Sequence, residues 1–138
     1  MARTSILLAE DHSAMRNVAL QLLEQEFEVV GTATDGQSLI EAAARMLPEV
    51  LVVDISLPVL NGIEAAHRLR EAGSTSTVVF LTTHEDLDYV RAALAAGALG
   101  YVIKSRMYTD LCFAIKEALS GRLFVSPSVA WVSQKSGE

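Results

Sequence analysis

The 138-residue sequence predicts an α/β fold in which helices wind doubly around a parallel β-sheet. Three observations support this prediction. Short apolar runs alternate five times with segments of helical periodicity, two of these runs (residues 6–9 and 50–53) are continuously apolar, and acidic residues follow both of them directly. Continuous apolar runs bounded by polar turns are typical of strands buried on both faces of a parallel sheet.

The five predicted strands are rich in valine, leucine and isoleucine. They span residues 4–9, 27–33, 49–54, 77–82 and 99–103. Crossovers between parallel strands are short and right-handed, so the intervening helices cover both faces of the sheet. The alternation therefore predicts a flavodoxin-like (βα)5 fold with the strand order 2-1-3-4-5.

Start and stop signals support the helices between the strands. Asp35 is the predicted N-cap of the second helix, which Pro48 follows. The turn at Asn61-Gly62 precedes the third helix, and Gly97 and Gly121 are predicted to end the fourth and the fifth.

The bulk composition favours one soluble domain. The chain is 51% hydrophobic and carries a formal net charge of −6, so its charge does not favour binding to DNA or to an anionic membrane. The single cysteine, Cys112, excludes an intrachain disulfide framework. No apolar run has membrane-spanning length and no signal peptide precedes Ile6, so a cytoplasmic location is expected.

Three carboxylates follow predicted strands. Glu10 and Asp11 come after the first strand, and Asp54 comes after the third. Ligands of such sheets bind outside the carboxyl ends of the strands, where these side chains meet if the two strands are neighbours. Clustered carboxylates need a counter-charge, and Mg²⁺ prefers oxygen ligands together with phosphate oxygens. The pattern predicts a metal-assisted phosphoryl-transfer site.

The fourth and fifth strands end in residues that suit the same chemistry. Lys104 is a point-charge partner for a phosphoryl group, and the Thr82 hydroxyl and the Thr83 backbone N–H are predicted donors to phosphoryl oxygens. Asp54 is the predicted nucleophile, because a carboxylate can form an aspartyl-phosphate.

These residues occur within longer segments that, taken together, resemble the receiver domain of two-component response regulators over residues 4–121. The matching segments, in chain order, are Ala9-Glu10-Asp11-His12, Asp54-Ile55-Ser56-Leu57-Pro58-Val59-Leu60-Asn61-Gly62, Leu81-Thr82-Thr83 and Ala96-Gly97-Ala98-Leu99-Gly100-Tyr101-Val102-Ile103-Lys104. Each segment alone is weak, whereas all four in this order and spacing are specific.

The resemblance implies a role for each acidic residue. Asp54 corresponds to the phosphoacceptor, which takes a phosphoryl group from a sensor histidine kinase. Asp11 corresponds to a direct Mg²⁺ ligand, Glu10 to its water-mediated companion, and Ser56 to the residue whose backbone carbonyl also binds the metal.

The resemblance also implies a switch. Thr82 corresponds to the hydroxyl that moves toward the phosphate, and Tyr101 to the aromatic residue that rotates inward as it does so. Lys104 corresponds to the phosphate-binding lysine. Thr82 and Tyr101 together would form a two-state element, and the charge of a new phosphoryl group would shift the balance between its two states.

Two positions depart from the commonest family pattern. Ser105 stands where proline usually follows the lysine in a cis bond, so the Lys104-Ser105 bond is either strained or trans. Glu10 replaces the commoner aspartate. In having serine at position 105, the chain resembles the subfamily of response regulators that carry a C-terminal LuxR-like helix-turn-helix.

The resemblance implies a domain organisation and a function. Residues 1–121 form the receiver domain, and residues 122–138 are a linker or the start of an absent output domain, with a helix start at Ser126-Pro127. The expected function is a phosphorylation-controlled switch that dimerises and regulates transcription, contacting DNA only through the output domain. The domain would catalyse its own phosphorylation and slow dephosphorylation, without a separate substrate.

Other interpretations predict different properties. Glu10 and Asp11 alone would suit simple capping of the first helix. A phosphatase of the haloacid-dehalogenase type needs a second aspartate where Ser56 stands. A flavin or nucleotide binder would be expected to carry a glycine-rich phosphate-binding motif, which this sequence does not contain. A receiver that associates without phosphorylation would not need Asp54, Thr82 and Lys104.

Overall fold

A computed structural model describes residues 3–127 of the chain. The strands are β1 (Ser5–Ala9), β2 (Glu28–Ala33), β3 (Val50–Val53), β4 (Thr77–Thr82), β5 (Gly100–Ile103) and β6 (Phe124–Val125). The α-helices are α1 (Ser13–Glu24), α2 (Gly36–Met46), α3 (Gly62–Glu71), α4 (Leu87–Ala95) and α5 (Met107–Leu119), and Lys104–Arg106 form a 3-10 turn before α5.

The strands form one parallel sheet in the order β2-β1-β3-β4-β5-β6. The predicted order of the first five strands is therefore confirmed, as is the flavodoxin-like architecture. The sixth strand is an addition that the sequence analysis missed. It has only two residues and pairs with the free edge of β5, so no periodic pattern marks it.

The sheet separates two apolar layers. Leu7 and Phe80 pack in the layer that α2, α3 and α4 cover, while Leu8, Leu81 and Ile115 pack in the layer that α1 and α5 cover. Consecutive strand residues point to opposite faces, so one strand supplies side chains to both layers. Because β1, β3 and β5 are buried on both faces, they read as continuous apolar runs in the sequence.

The predicted helix ends agree with the local geometry. The Asp35 side chain accepts a hydrogen bond from the Ser38 backbone N–H at 2.8 Å, so it caps α2 as expected. The C-cap residue of the same helix is Leu47, which is in the left-handed conformation with φ 48° and immediately precedes Pro48. Within residues 3–127, no helix is long and apolar enough to cross a membrane.

Replacing Asp35 with alanine is expected to lower the melting temperature at neutral pH. Hydrogen bonds from the Ser38 backbone and hydroxyl lower the pKa of Asp35 below its usual 3.8. Its stabilisation is therefore present above the unfolded-state pKa and lost as the pH falls through the lower folded-state pKa. In thermal unfolding experiments from neutral pH to below pH 3.8, the difference in melting temperature between the unmodified protein and Asp35→Ala should become smaller as the pH falls. Asp35→Asn, which keeps a side-chain oxygen at the N-cap, should lower the melting temperature less than Asp35→Ala at neutral pH; an Asp35→Ala deficit that stays constant as the pH falls would contradict the assignment.

Candidate functional site

The carboxyl ends of β1 and β3 bring the first acidic residues to one edge of the sheet. Ala9 and Val53 are paired in the sheet, and the next residues along each strand are Glu10 and Asp54. The Asp54 backbone N–H donates to the Ala9 carbonyl at 3.0 Å, which holds the two residues at the same level. The predicted meeting of these carboxylates therefore follows directly from strand order and register.

Lys104 connects the two carboxylates from the end of β5. Its Nζ lies 2.8 Å from Glu10 Oε1 and donates a hydrogen bond to Asp54 Oδ2 at 3.0 Å. The side chains of Glu10, Asp54 and Lys104 are 0%, 4% and 10% exposed, so little water screens the charges. Burial by itself lowers the pKa of Lys104, but the two carboxylates outweigh it and raise this pKa above 10.5.

The second oxygen of Asp54 is held by the backbone that follows it. Asp54 Oδ1 accepts a hydrogen bond from the Ser56 N–H at 3.0 Å. The loop then returns to its own start, where the Gly62 N–H donates to the Ile55 carbonyl at 2.9 Å. A Cβ on Gly62 would collide with the Asp54 carbonyl oxygen, so only glycine lets α3 begin this close to the acidic residue.

Asp11 and His12 complete the acidic cluster on the β1–α1 loop. One potential ligand atom from each of Glu10, Asp11 and His12 lies within 4.8 Å of the others. Glu10 Oε2 accepts a hydrogen bond from the His12 backbone N–H at 3.1 Å, which closes the turn before α1. Within the described part of the chain, no side-chain hydrogen bond caps α1 at its N-cap residue, His12, so the simple capping interpretation of Glu10 and Asp11 is wrong. Asp11 Oδ1 is buried and accepts no hydrogen bond from the described residues. Carboxylates outnumber the single ammonium, which leaves negative charge in excess.

Arg16 supports the loop that carries these carboxylates, and the sequence analysis missed it. Its Nη1 donates to the backbone carbonyl of Glu10 at 3.0 Å and lies 3.5 Å from that of Asp11. The contact depends on how the loop folds back over the start of α1. An arginine in an amphipathic helix is otherwise read as a solvent-exposed charge, so no sequence signal distinguished it.

The two predicted switch residues, Thr82 and Tyr101, both form hydrogen bonds with the backbone of His84. The Thr82 hydroxyl, which is fully buried, accepts a hydrogen bond from the His84 backbone N–H at 3.1 Å. The Tyr101 hydroxyl donates to the His84 carbonyl at 2.8 Å. Tyr101 is 0% exposed and therefore lies inward in this structure. Burial, with a contribution from the Asp86 carboxylate, raises the pKa of the Tyr101 phenol.

The His84 side chain joins the loops that follow β3 and β4. Its Nε2 lies 2.9 Å from Ser56 Oγ, and its ring stacks on Tyr89 at a centroid distance of 3.9 Å. The Thr83 N–H is the predicted hydrogen-bond donor to phosphoryl oxygens. Thr83 is exposed, whereas Thr82 before it is buried and His84 after it is half-buried. The loop after β4 is thus fastened on both sides of Thr83.

The Lys104-Ser105 peptide bond is trans, since no cis peptide bond occurs in residues 3–127. The chain accommodates it by entering the 3-10 turn Lys104–Arg106 directly from β5.

This fold and site agree with a known class of protein. A family model described as the response regulator receiver domain matches residues 6–116. The match covers most of the chain, which therefore belongs to the response regulator receiver domains.

The individual relatives include proteins named as transcriptional regulatory proteins and response regulators. The chain is 33% identical over 129 residues to the transcriptional regulatory protein DegU of Brevibacillus brevis, covering 92% of this chain and 55% of the relative. It is 32% identical over 127 residues to the nitrate/nitrite response regulator protein NarL of Escherichia coli K12, covering 91% and 59%. The chain thus spans little more than half the length of these two curated relatives.

Solved structures show the same likeness. A LuxR-family two-component response regulator from Aurantimonas sp. SI85-9A1 superposes with a TM-score of 0.91 and 30% identity, covering 99% of this chain and 100% of that one. The RcsB response regulator of Salmonella typhimurium superposes with a TM-score of 0.87 and 26% identity, covering 98% of this chain and 69% of that one.

Replacing Lys104 with methionine is expected to lower the free energy of unfolding by roughly 3 kcal/mol in metal-free buffer at neutral pH, because two buried carboxylates lose their counter-charge. The lysine contribution is present below the unfolded-state pKa and lost as the pH rises through the folded-state pKa, above 10.5. Urea unfolding should therefore show a deficit that narrows in strong alkali.

Lys116→Met is the matched control. Lys116 pairs with Glu26 on the surface, so its loss should change stability little. Equal losses for the two variants would show that the Lys104 ion pairs do not stabilise the site.

Proposed function

We propose that this domain accepts a phosphoryl group on Asp54 from a sensor histidine kinase and that the modification switches dimerisation and transcription regulation. The observation that carries the proposal is the position of Asp54. Its carboxylate is almost fully buried at the sheet edge and lies between the Lys104 ammonium and the Ser56 N–H.

The chemistry follows from these contacts. An oxygen of the Asp54 carboxylate attacks the phosphorus atom of a phosphohistidine or a small acyl phosphate. The new O–P bond forms as the old bond to phosphorus breaks, and its electron pair leaves with the donor nitrogen or oxygen. The Lys104 ammonium then stabilises charge on the phosphoryl oxygens, and the Thr83 backbone N–H supplies a further donor.

The acidic cluster fits a magnesium ion. Its ligands would be Asp11, Asp54 and the Ser56 carbonyl, with Glu10 acting through water. The supporting observation is Asp11 Oδ1, a buried oxygen without a hydrogen-bond donor among the described residues, in a cluster with excess negative charge. When bound, Mg²⁺ neutralises charge between the carboxylates and the phosphoryl oxygens. Such a domain acts on its own aspartate and has no separate substrate.

The switch would use the contacts that meet at His84. A phosphoryl group on Asp54 offers the Thr82 hydroxyl an anionic acceptor, and turning toward it removes the acceptor of the His84 N–H. The Tyr101 hydroxyl is bonded to the carbonyl of the same residue, so a shift of His84 also reaches Tyr101. Thr82 and Tyr101 would then change together, as a two-state element requires.

The DNA-binding output domain would lie outside the described domain. The relatives, which include a protein named as a transcriptional regulatory protein, are longer than this chain. The net charge of −6 does not favour DNA contact by this segment, so DNA would be bound through an additional domain.

Incubation with acetyl phosphate and Mg²⁺ should add one phosphoryl group to the protein, measured by intact mass. Asp54→Asn should show no gain, because an amide is not a competent nucleophile here. A chelator should abolish the gain in the unmodified protein. Asp35→Asn is the matched control, since it changes a carboxylate of the same type outside the site. A full gain in Asp54→Asn would reject Asp54 as the acceptor.

Phosphorylation is expected to raise the molecular mass in solution toward that of a dimer. Helix α5 exposes three large apolar side chains, since Tyr108, Phe113 and Leu119 are 73%, 52% and 42% exposed. Tyr108→Glu should weaken the phosphorylated dimer in sedimentation analysis. Leu47→Glu, which changes an equally exposed residue beside α2, should not. Identical masses before and after phosphorylation at every concentration would contradict the prediction.

A further inference from the structure

The segment that leaves the domain lies along the strand that ends at the phosphoryl-binding lysine. The Phe124 N–H donates to the Leu99 carbonyl at 3.0 Å, and the Ser126 N–H donates to the Tyr101 carbonyl at 2.9 Å. Val125 also packs in the same apolar layer as Tyr101. The exit segment is therefore a part of the sheet as far as Ser126.

The Ser126 side chain extends this connection beyond the backbone. It is 0% exposed, and its hydroxyl accepts a hydrogen bond from the Ile103 N–H at 3.0 Å. The same hydroxyl donates to Asp110 Oδ2 at 2.8 Å. That carboxylate also accepts a hydrogen bond from Arg106 Nε at 2.8 Å. One hydroxyl thus links β5, α5 and the end of the 3-10 turn.

Lys104 lies between the residues that this network holds. Ile103 immediately precedes it, and Arg106 ends the turn that begins with it. The turn contains no proline, since Ser105 follows the lysine, so its backbone is not restricted by a ring. Hydrogen bonds to buried groups on both sides supply a restriction instead.

We propose that Ser126 is a positioning residue for Lys104: through Ile103 on one side and Asp110 with Arg106 on the other, it holds the turn that presents the ammonium to Asp54. The inference rests on the proposed function of Asp54 and Lys104. It also couples two parts of the molecule, because a segment that leaves the sheet at Ser126 releases the same turn. Such coupling is reciprocal for binding equilibria, so a phosphoryl group that orders Lys104 favours the docked segment.

The chemistry of the side chain restricts what can replace serine. Alanine would remove the acceptor of the buried Ile103 N–H, leaving that group unpaired, and would leave Asp110 with Arg106 as its remaining side-chain partner. Threonine keeps a hydroxyl with the same donor and acceptor capacity. Ser120, which is exposed at the end of α5, offers a serine-to-alanine change of identical size outside the network.

The test compares the whole chain with Ser126→Ala, Ser126→Thr and Ser120→Ala at a temperature where circular dichroism shows each to be folded. Phosphorylation by acetyl phosphate is followed at saturating Mg²⁺, and the dissociation constant for Mg²⁺ is measured separately by calorimetry. Ser126→Ala should phosphorylate about tenfold more slowly, a loss typical of a misplaced reacting group. Its Mg²⁺ affinity should not fall, since the carboxylates that would hold the ion stay in place and a displaced Lys104 competes less for Glu10 and Asp54. Ser126→Thr should recover most of the rate.

Hydrogen exchange adds a readout that does not depend on phosphorylation. Residues 103–106 should exchange faster in Ser126→Ala than in Ser120→Ala. Equal phosphorylation rates in these two variants would overturn the positioning role. If Ser126→Ala does not fold, Asp110→Asn replaces it, and a rate equal to that of the unmodified protein would overturn the role. Failure of the unmodified protein to gain a phosphoryl group would instead reject the proposed function itself.

Discussion

The arrangement of this domain depends on charge compensation at the carboxyl edge of its sheet. Parallel strands direct their ends to one edge, and here β1 and β3 are followed by the carboxylates Glu10 and Asp54, which burial would otherwise make costly. Lys104 compensates both from the end of β5. The ion pairs therefore require β1, β3 and β5 to keep the register in which the sheet places them, and a shift of any one strand separates charge from counter-charge.

The charge compensation at this edge is only partial. A fully neutralised cluster would attract a cation weakly, whereas this one retains excess negative charge and a buried acceptor on Asp11. The loops around it are correspondingly well supported, since Arg16 holds the carbonyls after β1 and His84 joins the loops after β3 and β4. Stable apolar layers on both faces of the sheet allow its edge to carry unfavourable charge.

Much of the fold and of the site was predictable because local patterns encode both. Continuous apolar runs predicted the central strands, and Asp35 predicted the start of α2 through its capping chemistry. The position of Asp54 and Lys104 immediately after strands predicted that they meet, given the strand order. The resemblance to receiver domains supplied roles that spacing alone does not contain, such as those of Thr82 and Tyr101.

By itself, therefore, the sequence determined the class of fold, the edge of the sheet where the acidic residues and Lys104 gather, and the residue types found there, because periodicity and strand ends are local properties of a chain. Only the tertiary structure decided which partners those residues have. Arg16 on the Glu10 carbonyl, His84 between Ser56 and Tyr101, and Ser126 on Ile103 are contacts between segments whose separation along the chain carries no period. Hydrogen bonds are short and directional, so these contacts depend on the final positions of the loops and of the sheet edges, which are fixed only once the apolar layers have packed.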